Sequence, residues 1–169
     1  MRIARIALIV LLTVAGRGQQ PKPVTASVGV LSAEETQRLM PPAVFFEGQS
    51  SPVQMRNTFG VRFTNGGLVL AGIVDTSGYS SAIQNKYQFY ILSDTAFEID
   101  GKKFSPGSYG CGFGQEGVLV MDLGGNELFR KAVTHDTAMT RPRPLQILAS
   151  KSPDEFRLYL GRDFVTIRP

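Results

Sequence analysis

From Ala43 to the C-terminus the chain is a succession of short runs of β-branched and aromatic residues, broken by glycine, proline, asparagine or aspartate. The breaks recur at intervals of about ten residues, the spacing of successive antiparallel strands joined by tight turns. The runs are Phe59 to Phe63, Leu68 to Asp75, Tyr87 to Leu92, Ala96 to Ile99, Lys102 to Phe104, Ser108 to Phe113, Val118 to Leu123, Glu127 to Val133, Leu145 to Ala149, Phe156 to Leu160 and Phe164 to Arg168. Thr64-Asn65-Gly66-Gly67 supplies residues that tolerate positive φ and predicts a hairpin, as do Asp100-Gly101 and Gly161-Arg162-Asp163. Pro106-Gly107 is a further turn, and Ser81 to Lys86 reads as a short helical turn.

Ahead of the strands, Ser32-Ala33-Glu34-Glu35 fits a capping box and predicts a short helix, which Pro41-Pro42 must end. Leu31 and Leu39-Met40 are its candidate packing residues. The pattern predicts one all-β domain over residues 31–169, a small antiparallel barrel or sandwich with a short N-terminal helix. Closure into a barrel is the expected form because it removes exposed strand edges.

The N-terminal stretch has a different character. Two arginines precede Ile6-Ala7-Leu8-Ile9-Val10-Leu11-Leu12-Thr13-Val14-Ala15, an apolar run too short to span a bilayer and followed by Gly16. This reads as a signal peptide over residues 1–15, with small residues at Thr13 and Ala15 before the cut. Residues 16–30 are polar and proline-bearing and read as a flexible leader. The expected location is secreted or periplasmic, with the membrane engaged only through the signal peptide.

Charge narrows the range of partners. The full chain carries 18 basic and 14 acidic residues; removing Arg2 and Arg5 with the signal leaves 16 against 14, a net charge of +2. The remaining basic residues are dispersed, so no stripe tracks a phosphate backbone and nucleic acid is not an expected partner. Cys111 is the one cysteine, so no internal disulfide is available, and its setting between Gly110 and Gly112 reads as a small core residue. One histidine and one cysteine do not complete a zinc shell, and Asp94, Glu98 and Asp100 lack the spacing of a calcium loop; no metal or cofactor is expected.

Four constellations carry candidate chemistry. Tyr109-Gly110-Cys111-Gly112-Phe113-Gly114 places three glycines on one strand face, a signature of barrel curvature or of close approach by another group. His135-Asp136 offers a base and a carboxylate, without a serine marked as nucleophile. Arg141-Pro142-Arg143-Pro144 is extended and stiff and holds two guanidinium groups at fixed spacing. Finally, Ile73-Val74-Asp75-Thr76-Ser77-Gly78 delivers an aspartate at the end of an apolar strand.

That last segment resembles the catalytic turn of aspartic proteases, Asp-Thr-Gly or Asp-Ser-Gly. Leu158-Tyr159-Leu160-Gly161-Arg162-Asp163 is similar to the apolar-Gly-Arg-Asp/Asn element of the retroviral type. The resemblance implies a homodimeric hydrolase with Asp75 contributed by each chain. Ser77 departs from it, displacing the glycine by one position, and two carboxylates that share a proton tolerate little misplacement.

The leading functional expectation is a non-catalytic binding or envelope-interaction domain, with the aspartic-protease-like hydrolase as its enzymatic alternative. The expected partner is a small amphipathic molecule held in a barrel mouth, or an envelope protein docked on a strand edge. Tyr87, Phe89, Tyr109, Phe113, Arg141 and Arg143 are the candidate contact residues.

Overall fold

The computed structural model describes residues 27–169. The signal peptide and most of the leader lie outside the described residues. In chain order the elements are β1 (Gly29–Val30), α1 (Ala33–Leu39), β2 (Ala43–Phe46), β3 (Gln49–Arg62), β4 (Leu68–Val74), α2 (Ser81–Gln84), β5 (Phe89–Ser93), β6 (Phe97–Ile99) and β7 (Lys102–Phe104). They continue with β8 (Gly107–Gly114), β9 (Gly117–Met121), β10 (Glu127–Lys131), β11 (Thr134–His135), β12 (Arg143–Ala149), β13 (Phe156–Gly161) and β14 (Asp163–Arg168).

The strands form two antiparallel sheets. The larger runs β1-β3-β4-β5-β8-β9-β10, with β2 also on β3; the smaller runs β12-β13-β14-β6-β7, with β11 also on β14. The fold is all-β and sandwich-like, and no continuous strand ladder joins the two sheets into a closed barrel among the described residues. The expected closure is thus replaced by two seams where sheet edges approach each other. At one seam β12 lies beside β3 and β1. At the other, Phe104 of β7 meets Phe129 of β10, and the Lys131 ammonium donates to the Asp100 carbonyl.

Turn chemistry follows the residues that encode it. Phe63 N–H bonds the Gly67 carbonyl, Gly66 sits at φ +87°, and the Asn65 side chain accepts from Gly67 N–H. Asp100 and Gly101 both take positive φ, as a two-residue hairpin turn with right-handed strand twist requires. The Ser32 hydroxyl accepts from Glu35 N–H at the start of α1, but the reciprocal arm of the capping box is absent because Glu35 instead pairs with Arg62 of β3 at 3.7 Å. Leu31 and Met40 pack under α1, whereas Leu39 is exposed. Gly29 and Val30, at the end of the stretch read as a leader, pair with Arg62 and Val61.

Two apolar clusters hold the layers together. The inner one fills the space between the sheets with Val61, Phe63, Phe89, Ile91, Phe97, Cys111, Val120, Leu145, Leu158 and Ile167, among others. The second lies on the outer face of the larger sheet, where α1, β2 and the Tyr79–Tyr87 segment cover Leu70, Tyr90, Leu119 and Met121. Sheet burial on both faces explains why β9 is buried at every position and reads as an unbroken apolar run. Side chains therefore occupy the interior that a small barrel would offer to a ligand.

Candidate functional site

The six candidate contact residues do not converge. Phe89 and Tyr109 belong to the inner cluster, and the Tyr109 hydroxyl donates to the Ser105 carbonyl. Tyr87 lies on the opposite side of the same sheet, fully buried and stacked on Phe46 with ring centroids 4.0 Å apart. The strand read as starting at Tyr87 begins at Phe89. The α2 turn holds Tyr87 by its N–H to the Ile83 carbonyl and delivers it to the outer face before the ladder starts. Burial pushes the Tyr87 hydroxyl well above the usual tyrosine range. Phe113 is half-buried beside a shallow cavity of about 280 Å³ that also includes Lys86 and Arg130. Arg141 and Arg143 are exposed and share a different cavity.

The glycine-rich face of β8 is filled by the chain itself. A Cβ at Gly110 would overlap the Phe46 ring, and one at Gly112 would overlap the Lys86 carbonyl. The bare backbone thus seats β2 and the residues after α2 against the sheet. Cys111, on the other face, is fully buried, and desolvation drives its thiol far above its ordinary range, which leaves it protonated and inert.

The proteolytic elements are not brought together within the chain. Asp75 follows β4 on the surface, where its carboxylate accepts from Ser77 N–H, a bond that lowers its pKa. Gly161-Arg162-Asp163 forms the β13–β14 turn in the other sheet, and Asp163 pairs with His135 at 2.6 Å. His135 therefore takes Asp163 rather than its neighbour Asp136, whose carboxylate accepts from the Tyr159 hydroxyl at 2.9 Å. No serine hydroxyl among the described residues is bonded to the imidazole. Among the described residues no group of three metal-ligating side chains comes together, and no helix is long and apolar enough to cross a membrane.

The arrangement with the clearest chemical character is a groove of about 520 Å³ along the β3/β12 seam. Phe59 and Leu148 supply its apolar surface over the buried Leu31 and Ile147, and Arg56, Arg141 and Arg143 its charge. No acidic side chain among the described residues lines it. Among the described residues, none of the three guanidinium groups makes an ion pair or hydrogen bond, while Arg62, Arg130 and Arg168 are each paired with glutamate. Gln146, only 7% exposed, lies in the same groove and donates to the Met139 sulfur.

Strand irregularities aim these arginines. On β12 the register runs from Arg143↔Gly161 to Gln146↔Tyr159, three steps against two, so one extra residue is inserted. A bulge of that kind reverses the side-chain alternation, and it places Arg143 on the face of Gln146 and Leu148 instead of the core face of Leu145 and Ile147. On β3 the register runs from Val53↔Val74 to Thr58↔Gly72, five steps against two, so three residues are looped out. Arg56 lies inside that loop, which the Thr58 hydroxyl secures by donating to the Met55 carbonyl and the Asn57 amide by donating to Gln54. Arg56 escaped the sequence reading; its signal is Gln54-Met55-Arg56-Asn57, a stretch without strand alternation inside a long strand.

These features define a two-sheet all-β domain with an arginine-lined groove at one open seam. Comparison with known protein families, characterised proteins and solved structures finds no match to the chain.

Proposed function

We propose that the protein is a non-catalytic binding domain that works outside the cytoplasm and takes a small amphipathic molecule into the β3/β12 groove. The observation that carries this reading is the pairing of an apolar surface with three uncommitted arginines in one groove of about 520 Å³. That volume lies within the range of about 300–1,000 Å³ typical of small-molecule sites. The reading moves the contact set from Tyr87, Phe89, Tyr109 and Phe113 to Arg56, Phe59, Arg141, Arg143 and Leu148. It keeps the two arginines singled out in the sequence. Location beyond the cytoplasm rests on the short apolar run after Arg2 and Arg5.

Native mass spectrometry of the protein purified gently from an extracytoplasmic extract, followed by denaturation, tests this reading. The expected result is a stoichiometric small molecule lost from the Arg143→Glu variant. A cargo retained by that variant, or a chain without cargo that binds no amphiphile in titration, contradicts it.

A further inference from the structure

The chemistry of the groove narrows its ligand further. Arg56 comes from the looped segment of β3, Arg143 from the bulge of β12, and Arg141 from the proline-stiffened approach to β12. Three independent backbone devices therefore direct cations into one groove that, among the described residues, no carboxylate lines. Like charges gathered without a counter-charge repel one another, and an anion placed among them relieves that repulsion.

Guanidinium groups present planar forks that match the two oxygens of a carboxylate or the oxygens of a phosphate. Beside them Leu31, Phe59 and Leu148 offer only apolar contact, Leu148 being 42% exposed. Such a surface gains by covering hydrocarbon. Resting on the reading of this groove as the binding site, we infer that the ligand is a free, single-tailed amphipathic oxyanion. Its carboxylate or phosphate head meets Arg56, Arg141 and Arg143, and its hydrocarbon tail lies on Phe59 and Leu148. The cavity beside Phe113 differs in this respect: its Lys86 and Arg130 are neutralised by Glu47, Glu116 and Glu127.

Calorimetric titration of the full mature chain with octanoate, octyl phosphate, octanol and inorganic phosphate tests the inference. One of the two charged amphiphiles is expected to bind at one site per chain, at least about tenfold more tightly than octanol or inorganic phosphate, in line with the strength of charge-assisted hydrogen bonds. Arg56→Gln, Arg141→Gln and Arg143→Gln each weaken it, and the triple variant removes the preference over octanol. Arg130→Gln, in the separate cavity, leaves it unchanged.

Octanol binding as tightly as octanoate and octyl phosphate overturns the anionic head but leaves the amphipathic reading standing, because Leu148→Asp then still weakens every tailed probe. Inorganic phosphate binding as tightly as octyl phosphate overturns the tail. Sedimentation with phosphatidylcholine vesicles containing phosphatidylglycerol, without saturable binding of either charged amphiphile, overturns the free ligand in favour of a membrane surface. Absence of saturable binding to all four probes overturns the inference outright.

Discussion

At the β10/β7 seam, aromatic contact and one side-chain-to-backbone hydrogen bond bring the two sheets together. Phe104 touches Phe97, Tyr109 and Phe129, Lys131 donates to the Asp100 carbonyl, and Arg130 lies between Glu116 and Glu127. At the β3/β12 seam the strands bulge away from regular pairing, and among the described residues the groove arginines they carry make no ion pair. Both seams contribute side chains to the inner cluster, but only the second carries arginines without ion-pair partners, among the described residues, at its surface. The difference separates residues that hold the sandwich together from residues available for recognition, and substitutions at the two seams should have opposite signatures.

The largest effect on stability is expected at the β7/β10 seam. Phe104 is only 5% exposed, and Phe104→Ala should lower unfolding free energy by about 3–5 kcal/mol, read from a denaturant transition. A loss below about 1 kcal/mol would mean that this seam is not part of the core. At the β3/β12 seam, Arg56→Gln and Arg143→Gln should leave the same transition within about 0.5 kcal/mol while weakening ligand binding. Destabilisation by either substitution would instead give those arginines a structural role.

Acid sensitivity should likewise concentrate away from the groove. Asp122 accepts from Gly124 and Asn126 in the β9–β10 turn, and hydrogen bonding from Asn126 lowers its pKa; the Ser150 hydroxyl does the same for Glu155. A carboxylate with a depressed folded pKa stabilises the protein above its unfolded pKa, and that contribution fades as pH falls toward the folded value. Stability is therefore expected to drop as pH falls below about 4, with a shallower drop in Asp122→Asn. An unchanged slope in that variant would remove the turn from the account. The smallest effect concerns Cys111: a thiol-specific reagent should leave it unlabelled in the folded protein and label it in denaturant, and rapid native labelling would contradict its burial.

Much of the strand pattern was legible because turn residues have local causes. Gly66, Asp100-Gly101 and Gly161 adopt positive φ where the sequence places tight turns. The β2–β3 hairpin was harder to read, since Glu47 and Gly48 make its turn while Gln49-Ser50-Ser51-Pro52 has the polarity of a loop. Its reason for existing is tertiary: β2 carries Phe46 onto the bare face of Gly110. The same layer explains why the predicted aromatic contact set failed to converge, as period-two alternation cannot tell that Tyr87 precedes its strand and falls on the outer face.

Of the site, Arg141 and Arg143 were legible through the stiffness of Arg-Pro-Arg-Pro. Arg56 was not, because its placement depends on three looped-out residues opposite a strand that follows it in the sequence. Seams between sheets are set by how edges meet across the fold, and no local signal encodes which edges those are.

The most direct test of the contrast between the seams is an amide NMR titration of the protein with octanoate and, separately, with octyl phosphate. Saturable shifts are expected with one of them at Arg56, Phe59, Arg143, Gln146 and Leu148, with resonances of β7 and β10 unmoved. Shifts centred on Phe113, Lys86 and Arg130, or spread through Phe104 and Phe129, would contradict that contrast.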